Sequence, residues 1–99
     1  MISKEINRDS FVLNISTIKA MRRLKFSTAE TYVYLCLLAK IYSIEGNIVE
    51  INASHISKEL GLSRMQVIRV KQSLEKAKII EFINRGSGDK YKINIIMAD

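Results

Sequence analysis

The segment Ile56-Ser57-Lys58-Glu59-Leu60-Gly61-Leu62-Ser63, followed by Arg64 to Lys78 without a glycine or proline, reads as two helices parted by a tight turn. Gly61 supplies the left-handed backbone that ends the first helix, because it alone has no Cβ to clash there. Ser63 with Gln66 three residues on is a capping box that starts the second. Along that second helix Val67, Val70, Leu74 and then Ala77 or Lys78 recur at inward spacing. The opposite side carries Met65, Ile68, Arg69, Gln72 and Lys76, with Arg64 and Gln66 at the exposed N-terminal end. Ile79-Ile80 then opens an apolar strand.

Working outward, Asn52 is placed to cap the first helix of the pair, Ala53 to Leu60, and Ile48-Val49-Glu50-Ile51 before it suits a short strand. Ser27 and Glu30 form a second capping box, which predicts a long helix over 28–44. Ala29, Val33, Cys36, Leu37, Ile41 and Ile44 recur at helical spacing in it, widened by Leu35, Leu38 and Tyr42, and so apolar a helix belongs at the centre of the core. Cys36 reads as one more core residue. On the other side of the pair, Ile79 to Asn84 is a strand, Arg85-Gly86-Ser87-Gly88-Asp89 a flexible turn and Lys90 to Ile96 a returning strand. There Tyr91, Ile93 and Ile95 face one side, and Lys90, Lys92 and Asn94 the other. Near the N-terminus, Phe11 to Ile15 suits a short strand. Ser16 to Leu24 suits a helix with Ile18 and Met21 inward and Arg22, Arg23 and Lys25 outward. That basic end fits phosphate contact or simply the helix macrodipole.

Ninety-nine residues, 47% of them hydrophobic, make one folded domain that can close a core without disulfides or metals. No apolar run reaches the roughly 18–20 residues of a membrane span, and Met1 to Glu5 lacks a signal-peptide pattern. One cysteine permits no internal disulfide, so a cytoplasmic setting is expected. His55 is the single histidine, and no acidic pair at ligand spacing, phosphate loop or nucleophile elbow can be assembled. The expectation is therefore a protein without catalysis, metal or cofactor.

The net charge of +6 implies a polyanionic partner chiefly through its placement. Between Gly61 and Lys92 stand eight cations (Arg64, Arg69, Lys71, Lys76, Lys78, Arg85, Lys90, Lys92) against three anions (Glu75, Glu81, Asp89). A helix-turn-helix places its second helix in the DNA major groove. Arginine can bond guanine O6 and N7, glutamine matches adenine N6 and N7, and apolar side chains meet the thymine methyl. Arg64, Gln66 and Arg69 are thus candidates for direct readout, with Met65 as an apolar contact. Ser63, Gln72 and Lys76 complete the helix's DNA-facing set. Arg69 has the alternatives of a bridge to Glu75 or Glu81, or of phosphate. On the hairpin, Arg85, Lys90 and Lys92 surround a Gly-Ser-Gly tip suited to the sugar-phosphate backbone or a minor groove. Ile68 and Met65 fit thymine methyls less well than a dimer interface beside the recognition helix.

In its order of helix, strand, helix, helix and hairpin, the span from Phe26 to Ile96 resembles the winged helix-turn-helix superfamily over about 70 residues. The likeness is carried by Ile56 to Ser63, then Val67, Arg69, Leu74, Ala77 and Ile79-Ile80. Lys78 stands where many members have glycine, a departure that matters little if the helix runs one residue longer. The resemblance implies an α+β fold, a mainly helical core with a C-terminal β-hairpin wing. Residues 1–25 are then an N-terminal extension to which dimerisation is open. Two subfamilies are similar: the N-terminal module of plasmid and phage replication initiators, and the TubR-type centromere-binding proteins of plasmid partition. The TubR likeness includes Asn7-Arg8-Asp9-Ser10-Phe11 with Leu13-Asn14-Ile15, and members of about this length. It implies a homodimer with recognition helices near the two-fold axis, arrayed on repeated DNA sites and recruiting a filament-forming, tubulin-like GTPase. A chain ending near Asp99 leaves little beyond the wing for a C-terminal helix.

The expected function is sequence-specific binding of double-stranded DNA as a homodimer, as a partition adaptor that also represses its own operon. A phage or plasmid transcriptional repressor, or a replication-initiator-like DNA-binding module, is the alternative. A winged helix used for protein–protein assembly is the alternative of another class, and cations on both helix and wing argue against it.

Overall fold

A computed structural model of the chain describes residues 13–44, 46–84 and 89–98. In chain order it contains α1 (Ile15–Arg23), α2 (Thr28–Ile44), β1 (Ile48–Glu50), α3 (Ala53–Leu60), α4 (Arg64–Lys76), β2 (Ile80–Asn84) and β3 (Lys90–Ile93). The strands form one antiparallel sheet in the order β1-β3-β2, so β3 is central. The architecture is α+β, four helices with a small three-stranded sheet among the described residues.

Local chemistry sets most helix boundaries. Asn14 caps α1 through Ser16 N–H, and Asn52 caps α3 through His55 N–H. Ser27 and Glu30 exchange both bonds of a capping box at 2.9 and 3.1 Å, which fixes the start of α2. The expected strand over Phe11 to Ile15 gives way to this capping. Leu13 and Asn14 are in no strand and Ile15 is already helical, while Phe11 and Val12 lie outside the described residues. Gly61 ends α3 at φ 69.

The α4 helix stops at Lys76, two residues short of its expected end, with Ala77 as C-cap. Lys78 itself adopts φ 60, and Ile79 N–H closes back on the Leu74 carbonyl at 2.9 Å. So the substitution for glycine at Lys78 is not absorbed by a longer helix. The lysine takes the left-handed conformation that glycine would adopt without strain. Lys25 does the same after α1 at φ 56, with Phe26 N–H on the Met21 carbonyl.

The core joins Val33, Leu37, Leu38 and Ile41 of α2 to Ile56 of α3, to Val67, Val70 and Leu74 of α4, and to Val49, Ile80, Tyr91 and Ile93 of the sheet. Ala77 is exposed and Lys78 with it, so the inward stripe of α4 ends at Leu74. At the centre is Tyr34, fully buried, its ring edge-on to Phe26 at 5.7 Å between centroids. Its hydroxyl donates to the Asn94 carbonyl at 2.7 Å and accepts from Ile96 N–H at 3.0 Å.

Several apolar residues expected inside are outside. Ile18, Tyr42 and Ile44 are exposed, because the core takes the Tyr34 side of α2 and the Thr17, Ala20 and Met21 side of α1. Ile95 is exposed too, because β3 ends at Ile93. Beyond it the chain crosses α2 towards α1, where Ala98 bonds Ser16 through both its N–H and its carbonyl. Cys36 is half-buried; burial pushes its thiol up, opposed in part by Lys40.

Candidate nucleic-acid interface

The helix pair is set by bonds at its turn. Leu62 N–H returns to the Ser57 carbonyl, and Ser63 starts α4 with a reciprocal box: Ser63 Oγ accepts from Gln66 N–H at 3.1 Å, and Gln66 Oε1 accepts from Ser63 N–H at 2.9 Å. Val67, Val70 and Leu74 anchor α4 on the core. A further tie is Ser73 Oγ, which donates to Glu30 Oε2 at 3.0 Å. Glu30 thus caps α2 with one oxygen and holds α4 with the other. The Ser27 backbone N–H is the main reason its carboxyl sits below the ordinary value; burial partly opposes this, and the hydroxyls of Ser73 and Ser27 assist.

With that face fixed, helical geometry leaves two ridges outward. Met65, Arg69, Gln72 and Lys76, spaced at i, i+4, i+7 and i+11, are all exposed and stand opposite the buried stripe. Arg64, Ile68 and Lys71 form the neighbouring ridge. They line a groove of about 310 Å³ between α4, the β1–α3 turn and Asp89, with Glu50 and Ser54 on its far side. None of the four cations of α4 makes an ion pair with a described residue, so the bridge from Arg69 to Glu75 or Glu81 is not formed. The one ion pair among the described residues is Lys40–Glu59, at 3.7 Å.

The structure brings some of the expected contact residues together and separates others. Arg69, Gln72, Lys76 and Met65 share one exposed ridge, and Arg64 opens the adjacent one. Ser63 is exposed but serves as the cap. Gln66 is exposed, and its Oε1 accepts one bond, from Ser63 N–H in the capping box. Ile68 is half-buried in the groove wall.

Lys90 and Lys92 belong to β3, the central strand. Strand alternation puts them on the outer sheet face, while Tyr91 between them is buried. Their cross-strand partners include acids, Glu50 opposite Lys90 and Glu81 opposite Lys92, so this face carries balanced charge. Arg85 lies outside the described residues. Lys71 is the residue that charge counting alone did not single out. Its Nζ lies 5.5 Å from the centre of the Tyr91 ring, a cation–π contact that ties α4 to the central strand. The signal was its seven-residue spacing from Arg64.

No family model, curated protein or solved structure matches the chain. Among the described residues, no helix is long and apolar enough to cross a membrane.

Proposed function

We propose that this chain is a winged-helix protein that binds double-stranded DNA, with α4 as the recognition helix in the major groove. One observation carries the reading: four cations stand on a single capped helix, three of them exposed and none in an ion pair with a described residue. In this arrangement Arg69 is the first candidate for a guanine edge, with Met65, Gln72 and Lys76 beside it. Arg64 and Lys71 meet phosphate on the flank. Such a helix covers only a few base pairs, so a homodimer on paired half-sites is part of the proposal.

The resemblance to TubR-type proteins carries the narrower proposal of a partition adaptor that represses its own operon and recruits a tubulin-like filament. Selecting duplexes from a random pool with the purified protein, then sequencing them, tests both levels. Enrichment of a defined motif is expected. Tandem repeats in the matching replicon would support partition, and one palindrome over a promoter would support repression. No enrichment of any sequence would turn the reading towards the assembly module.

A further inference from the structure

A second concavity lies away from α4. It is a groove of about 990 Å³ whose apolar wall includes Leu13, Leu38, Ile41, Tyr42, Ile95 and Met97. None of the described residues lining it is charged, in a chain where charged residues are 26%. Two of its rim residues are held outward by the fold. Asn94, Ile96 and Ala98 are tied inward by the Tyr34 hydroxyl and by Ser16, so the alternate residues Ile95 and Met97 face out, 57% and 60% exposed. Tyr42, 44% exposed, stands on the opposite lip.

We propose that this groove is where a second copy of the chain docks. The inference rests on the homodimer within the proposed DNA-binding reading and moves its interface off the recognition helix. Three observations select a second copy as the occupant. Two chains each carrying +6 repel one another, and an uncharged face is where they can approach without opposing like charges. A two-fold interface must be self-complementary, and here protruding Ile95 and Met97 adjoin a recess on the same face. No residue of α4 lines the groove, so both recognition helices stay free. A small ligand suits the site less well. The Asn14 side chain is engaged as the α1 cap, and the Thr17 hydroxyl, though without a partner, is buried out of reach.

The test is sedimentation of the intact chain beside the double variant Ile95→Glu with Met97→Glu, with Met65→Glu as comparison and thermal melts for all three. The wild type is expected at twice its 11.3 kDa mass. The double variant should be monomeric with an unchanged melting temperature, and Met65→Glu should remain a dimer. Should the double variant unfold, Tyr42→Lys at the other lip gives the same readout. A dimer that survives the lip substitutions, or one broken by Met65→Glu, overturns the proposal. A monomeric wild type overturns it as well; if that monomer loses stability in the double variant, the groove is filled from within one chain. Duplex binding is measured separately. If the lip substitutions break the dimer but the dimeric wild type itself binds no duplex, DNA binding alone is refuted, and a wild-type monomer that binds duplex refutes this interface alone.

Discussion

The Tyr34 hydroxyl holds two backbone groups, one on each side of Ile95, and nothing else in the described residues satisfies both. Tyr34→Phe keeps the ring and its contact with Phe26 while leaving the Asn94 carbonyl and Ile96 N–H short of a partner. It should destabilise by about 1–3 kcal/mol, read as a lower denaturation midpoint with unchanged slope. A change within a few tenths of a kcal/mol would mean that water replaces the hydroxyl. The residues beside Tyr34 were legible in the sequence as a helical stripe, but Tyr34 was not among them. Its partners lie 60 and 62 residues away, beyond the reach of any local pattern. On α4 the reverse holds: Arg69 and its ridge follow directly from helical spacing, and so does the capping box of Ser63 and Gln66.

At the scale of elements, helix starts were readable and helix ends less so. Ser27, Asn52 and Ser63 announce their helices through bonds made within three residues. Lys25 and Lys78 end theirs in a left-handed conformation that a lysine does not advertise. Lys78→Gly should therefore raise stability by roughly 0.5–1 kcal/mol, by relieving a Cβ clash that outweighs glycine's entropy cost. Lys78→Ala, which keeps the Cβ, should leave it nearly unchanged. Equal effects from both would show that φ 60 carries no strain.

Glu30 couples α2 to α4, and its depressed pKa gives the coupling a pH dependence. The stabilisation is fully present above the unfolded value of 4.5 and is lost as pH falls through the lower folded value. Glu30→Gln should reduce stability near neutrality and flatten the acid limb of the stability curve, measured by denaturant titration from about pH 6 down to about pH 3. An acid limb identical to that of the wild type would place the titrating group elsewhere.

For the whole molecule, the helix pair and hairpin were legible because each is local. The placement of their charges was not. Alternation along β3 was visible in the sequence, but which face meets α4 depends on the sheet order β1-β3-β2 and on Tyr91 packing under Lys71. That order puts Lys90 and Lys92 beside Glu50 and Glu81. The central claim is that α4, rather than the basic chain as a whole, meets the DNA. Its most direct test is the salt dependence of duplex binding, followed from about 50 to about 200 mM salt. Arg64→Ala with Lys71→Ala should weaken binding and flatten the slope of log K against log salt by about one to two units. Lys90→Ala with Lys92→Ala should leave that slope as it is. A slope flattened by the strand pair and untouched by the α4 pair, or no duplex binding by the wild type, would contradict the account.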